Sequence, residues 1–255
     1  IVYYNSIFNR IHEPARIAIK KIYEERGKLL QQLRPRGKEL LKYKYQWYLQ
    51  DYLACVASID ESVGKLLAYM DKKNLAKNTL LIYTGDQGMY LGENGWFDKR
   101  WMYDVSMQAP LLMRWPGQIK PGTLNVNMVQ TIDYAPTFLG AAGIPVPEWM
   151  QGINLVPMLK GILRTLPRKN LYYHFYEYNA DHTVLQHAGV RGERYKLIYF
   201  YTVNEWELYD LKTDPQEQKN LISSAAHQKV FIQMKEELKR LRDQYDDHEP
   251  AGELH

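Results

Sequence analysis

The sequence predicts an α/β fold: a layered sheet with helices packed on its faces, then a small antiparallel sheet backed by one helix. Three observations carry this. From Lys38 to Met70 apolar residues recur at three- and four-residue steps, through Tyr45, Leu49, Tyr52, Val56, Ile59, Val63 and Leu66, which is one stripe of a long helix. Leu80–Tyr83 and Pro110–Arg114 are short apolar runs of strand length and composition. Beyond Gly161–Pro167 the texture changes to aromatic and β-branched runs broken by turns, the pattern of an antiparallel meander.

Taken in order, residues 10–44 come first and are basic, with eleven Lys and Arg against four Glu. No aromatic stacking pattern or binding motif accompanies that charge, so it reads as a solvated helical face rather than a nucleic-acid surface. Pro35 and Gly37 interrupt the run and separate two helices. A polar turn over Asp71–Asn78 leads into the first strand, expected to be buried. Pro116–Asn127 is loop. Ile132–Ala142 reads as a helix with Asp133 in its first turn and Gly143 just past its end. Pro145, Pro147, Pro157 and Pro167 mark an irregular connector. We place a boundary within it, dividing the chain into 1–162 and 163–255. The meander runs are Leu171–Tyr178, His187–Arg191, Tyr195–Tyr201 and Trp206–Leu211. A terminal helix over Ala225–Tyr245 buries Val230, Met234, Leu238 and Leu241.

Composition bounds the class. The chain has 255 residues, 45% hydrophobic and 24% charged, which suits a globular protein. No apolar run approaches the length of a membrane span. The lone cysteine, Cys55, excludes an internal disulfide and leaves the compartment open.

The stretch Thr79–Gly117 concentrates the chemistry. Its strand stops at Thr84-Gly85-Asp86-Gln87-Gly88, where a sheet holds polar side chains rigidly and a loop exposes them. Three glycines then carry the loop to Asp98-Lys99-Arg100. Asp86 and Gln87 are oxygen donors of the kind calcium and magnesium prefer, and Lys99 and Arg100 suit sulfate or phosphate oxygens. Two ligands are too few for calcium, so the residues alone leave open a turn that Asp86 merely caps. Cys and His lack the tight spacing of a zinc site.

These residues, in this order, resemble the type I sulfatases of the alkaline phosphatase superfamily. The likeness runs through T-G-D-Q-G at 84–88, L-G-E-N-G at 91–95, Lys99, M-R-W-P-G at 113–117 and T-I-D-Y-A-P-T at 131–137. It continues through Gln151-Gly152, G-V-R-G-E-R-Y-K-L-I at 189–198, E-L-Y-D-L at 207–211 and D-P-Q-E at 214–217. It covers residues 43–245. W-F-D-K-R-W-M-Y at 96–103 and Y-Y-H-F-Y-E-Y-N-A-D-H at 172–182 are most similar to bacterial glycan sulfatases related to N-acetylglucosamine-6-sulfatase.

The resemblance implies a protein that hydrolyses a sulfate ester on a glycan or amino sugar. It implies Asp86 and Gln87 as ligands of one calcium ion, with the rest of the shell outside this chain. Lys99 is implied as the sulfate-binding catalytic residue, flanked by Asp98 and Arg100 on the sugar. The small sheet is implied to read the sugar through His182 and His187, while His174 reads as structural. The family's nucleophile is a formylglycine made from Cys in C-x-[PA]-S-R. Cys55-Val56-Ala57-Ser58-Ile59 mimics that motif but puts Ile59 where Arg belongs, mid-helix, so Cys55 reads as an ordinary helix residue. The chain thus resembles the C-terminal half of a sulfatase. Its expected partners are a sulfated carbohydrate and the N-terminal half, with no nucleic acid and no membrane span, and export is expected by resemblance. Two alternatives stay open: a phosphoesterase of the same superfamily, and a glycan-binding module without turnover.

Overall fold

The structure is a computed structural model that describes residues 9–177 and 183–254. The chain divides into two compact units, Ile1–Leu66 and Leu67–His255. Among the described residues no helix is long and apolar enough to cross a membrane.

The first unit holds helix α1, Glu13–Leu33, and most of α2, Gly37–Lys72. Pro14 occupies the first turn of α1, where its missing N–H costs nothing. The helix ends at Arg34, which is left-handed at φ 46° and donates its N–H to the Leu30 carbonyl, and Pro35 bars further helix. Arg26 of α1 holds Asp51 of α2 with two 2.8 Å bonds and lies over the Trp47 ring. The apolar stripe of α2 has the expected period but is not buried: Ile59 is 48% exposed and Leu66 49%.

In the second unit, β1 (Leu81–Thr84) pairs antiparallel with β4 (Leu111–Arg114), with Ile82 opposite Met113. These strands are half covered rather than buried, and Leu112 is 60% exposed. Between them lie the short pair β2 (Tyr90–Leu91) and β3 (Phe97–Asp98), then the one-turn helix α3 (Asp104–Met107). A 3-10 turn over Thr131–Asp133 leads into α4, Tyr134–Ala141, and Gly143 follows its end at φ +73°. Helix α5 is Val156–Leu159.

The meander forms as its sequence predicts. β5 (Asn170–Phe175), β6 (His187–Gly192), β7 (Tyr195–Phe200) and β8 (Glu205–Asp210) pair antiparallel in chain order. Both faces are covered, so alternate residues feed two cores. Ala188, Val190, Leu197, Tyr199 and Leu208 meet Leu238 and Leu241 of α6, Gln228–Gln244. On the other face Ile198, Phe200 and Tyr209 meet Tyr90, Met102 and Tyr103 from the loop after β1. Gly189 is required at that crossing: a Cβ there would sit 2.3 Å from Met102 Sδ. The predicted boundary at 162 lies inside the second unit, where Leu155, Met158 and Leu166 form one apolar cluster.

Candidate functional site

The end of β1, the loop through residues 98–109 and strand β5 enclose a cavity of about 1060 Å³, lined by Asp86, Gln87, Lys99, Arg100, Asp104 and Arg191 among others. Asp86 and Gln87 follow β1 directly, so the β1–β4 pairing fixes where they emerge. Gly88 then passes hard against α3: its N–H donates to the Ser106 carbonyl at 2.8 Å, and a Cβ would lie 2.0 Å from the Val105 oxygen. Only glycine allows that approach.

The second half of the site is a strained loop. Asp98 and Arg100 sit at φ 79° and 107°, a region that costs any residue with a Cβ. Lys99 lies between them. The Arg100 guanidinium donates to the Asp98 carboxylate and comes within 3.7 Å of Glu177. The Arg100 backbone is held at both ends, its N–H by Ser106 Oγ at 3.2 Å and its carbonyl by the Tyr173 hydroxyl at 3.0 Å. Asp98 and Arg100 therefore answer each other. Asp86, Gln87 and Lys99 make no ion pair or hydrogen bond with another side chain among the described residues, and all three line one cavity.

Two oxygen donors suit a hard divalent cation by type but are too few by number. Among the described residues no group of three or more His, Cys, Asp or Glu is arranged to hold a metal.

One of the histidines falls differently from the sequence reading. His187, expected as a sugar contact, is fully buried. Its ring lies between Trp101 and Phe175, stacked at 5.6 and 5.3 Å, with Phe200 and Tyr173 beside it. Nδ1 donates to the Leu185 carbonyl at 2.8 Å, and Nε2 has no partner among the described residues. Burial pushes its pKa down to about 4, so the ring is neutral. A ring in this position is a core residue, because β6 is covered on both faces and has no side for it to present to solvent. His182 lies outside the described residues. His174 is structural, as its sequence suggested: Nδ1 meets Asp247 at 2.7 Å and Nε2 meets the Tyr201 hydroxyl at 3.0 Å. Burial pushes Asp247 up, but the Tyr172, His174 and Tyr176 donors outweigh it and hold the carboxyl far below its ordinary value.

Sequence reasoning missed the ionic floor of the cavity. Lys196 of β7 is fully buried, with Nζ 2.5 Å from Asp104 and 2.7 Å from Glu217. Arg191 reaches the other Asp104 oxygen at 3.1 Å, and the Asp104 N–H donates to Glu217 at 2.6 Å. Burial pushes Asp104 up, yet Lys196 and Arg191 prevail and hold it below its ordinary value; burial prevails at Glu217 and raises it. The available signal was a lysine inside the otherwise aromatic and aliphatic run Tyr195–Phe200, at a strand position whose side must be buried. Asp133 was also underread. It makes a bidentate pair with Arg168 at 2.6 and 2.7 Å and accepts the N–H groups of Gln130 and Ile153, each at 2.8 Å.

The family described as "N-sulphoglucosamine sulphohydrolase, C-terminal" matches residues 92–244, and the family "Sulfatase" matches residues 18–144. The chain is 44% identical over 218 residues to an N-acetylglucosamine-6-O-sulfatase of Bacteroides thetaiotaomicron, covering 84% of this chain and 39% of that protein. It is 32% identical over 173 residues to a choline-sulfatase of Rhizobium meliloti, covering 67% and 32%. A solved structure of a protein in complex with its substrate D-glucosamine-2-N,6-O-disulfate superposes with a TM-score of 0.90 at 40% identity, covering 97% of this chain and 51% of that one. The chain thus spans well under two thirds of each of these relatives.

Proposed function

The chain belongs to the sulfatase family, with its α/β alkaline phosphatase-like fold, and we propose that the protein carrying it hydrolyses a sulfate ester on an amino sugar of a glycan. The observation that carries the proposal is the convergence of Asp86, Gln87 and Lys99, without side-chain partners among the described residues, on one cavity of about 1060 Å³. The identity to an N-acetylglucosamine-6-O-sulfatase supports the choice of sugar.

In this reading Asp86 and Gln87 supply two oxygen ligands to a divalent cation. Their hardness and the tolerance of calcium for mixed carboxylate and amide ligands favour calcium. The cation supplies neutralisation of sulfate charge. Lys99 donates from its ammonium to a sulfate oxygen, held in place because its neighbours are bound to each other and to Ser106 and Tyr173. A point-charge donor already oriented towards the oxygen that gains charge is worth most in the transition state. Asp98 and Arg100, at the rim of the same loop, are the groups we assign to sugar hydroxyls. We assign the nucleophile to no residue of this chain.

The test is Lys99→Ala in the whole protein, assayed on N-acetylglucosamine 6-sulfate at saturation. Loss of the donor should lower kcat by on the order of a hundredfold or more. A kcat within twofold of wild type would remove Lys99 from the chemistry. Preferential turnover of a phosphate ester would replace the sulfatase reading with the phosphoesterase one.

A further inference from the structure

The two loops of the site share one support. Helix α3 accepts the Gly88 N–H through the Ser106 carbonyl, two residues after Asp86. It accepts the Arg100 N–H through Ser106 Oγ, one residue after Lys99. One residue, Ser106, thus joins the segment that bears the proposed cation ligands to the segment that bears the proposed sulfate donor. Ser106 is itself buried.

A helix of one turn does not hold its own position; its cooperativity is too low. What holds α3 is ionic and comes from the meander. Its first residue, Asp104, is gripped through Oδ1 by Lys196, through Oδ2 by Arg191 and through its N–H by Glu217. Lys196 is fully buried and lies 92 residues away in sequence. Its charge has no exposure to water, so it is stable only where both carboxylates stay within reach. That requirement fixes Asp104 against β7 to within the length of a hydrogen bond.

We propose that Lys196, acting through Asp104 and Ser106 together with Glu217, is a positioning residue that sets Asp86 and Gln87 relative to Lys99. The inference rests on the site reading given above. It predicts an effect on cation binding and turnover together, without a direct contact to either ligand. Displacement of α3 moves the backbone on both sides of the cavity at once, and positioning errors of about 1 Å are costly in turnover.

The experiment uses the whole protein and the variants Lys196→Met, Glu217→Gln, Lys99→Ala and Leu238→Ala. Leu238 belongs to the core on the opposite face of the meander and serves as a stability-matched control. Calorimetric titration with calcium chloride reads cation affinity apart from activity. Turnover of N-acetylglucosamine 6-sulfate per folded molecule reads positioning. Lys196→Met should weaken calcium at least tenfold and lower kcat at least tenfold, with KM within threefold. Glu217→Gln, which keeps the shape and a hydrogen bond, should show the same pattern at several-fold, and it carries the test if Lys196→Met does not fold. Leu238→Ala should lower Tm with calcium affinity and kcat within twofold. If Lys196→Met, or failing that Glu217→Gln, leaves both quantities within twofold, or tracks Leu238→Ala at equal loss of Tm, the proposal is overturned. If Lys99→Ala is silent while Lys196→Met still weakens calcium, the role given to Lys99 fails and the support role of Lys196 stands.

Discussion

Replacing His187 by phenylalanine should remove a large part of the acid sensitivity of this protein. The ring is fully buried among Trp101, Tyr173, Phe175 and Phe200, and Nε2 meets no donor among the described residues. Burial lowers its pKa from 6.5 to about 4. Above pH 6.5 the imidazole is neutral in folded and unfolded chains alike and contributes no pH dependence. As pH falls below 6.5 the unfolded chain takes up a proton that the folded chain refuses until about pH 4, so stability is lost across that window. The gap of about two and a half pH units, at about 1.4 kcal/mol each, makes the whole loss about 3 kcal/mol, of which about 2 is spent by pH 5. His187→Phe keeps the aromatic packing and deletes the proton site. It also gives up the bond to the Leu185 carbonyl, a cost of about 1 kcal/mol that is independent of pH. Urea unfolding of wild type and variant at pH 7.5 and pH 5.0 isolates the effect, because carboxylate titration is common to both proteins and cancels. The variant should lose about 2 kcal/mol less than wild type between the two pH values. Parallel losses would mean that His187 is solvated or partnered in the folded protein, and the burial argument would fall.

Two further substitutions probe the scaffold. Arg168→Met strands the Asp133 carboxylate, which is fully buried, and should cost about 3–5 kcal/mol in denaturant unfolding; a loss below about 1 kcal/mol would show that the pair is not closed off from water. Gly189→Ala places a methyl 2.3 Å from Met102 Sδ and 2.6 Å from the Leu197 carbonyl, so overpacking of about 1–3 kcal/mol should appear as a lowered Tm, and an unchanged Tm would contradict the close contact between β6 and the loop.

Most local structure was legible from residue order alone. The break at Pro35–Gly37, the end of α4 before Gly143 and all four meander strands follow from turn chemistry and periodicity, which act over a few residues. The residue types of the site loop were legible for the same reason, since Asp86, Gln87 and Lys99 lie within fourteen residues of one another along a glycine-marked segment. The stripe on α2 was legible as a period, but what covers it was not, and in the structure it is largely exposed.

What only the tertiary structure decided was which distant segments share a wall. Asp104 and Lys196 are 92 residues apart, His174 and Asp247 73, and Asp133 and Arg168 35. No propensity or period reports such a pairing, because each depends on the register and packing of whole elements rather than on neighbours in the chain. His187 shows the consequence most directly. From sequence it stood at the start of a strand near a loop, a fair place for a ligand contact. The structure covers β6 on both faces, with α6 on one side and the 90–103 loop on the other, and so the same histidine becomes a neutral ring in an aromatic core.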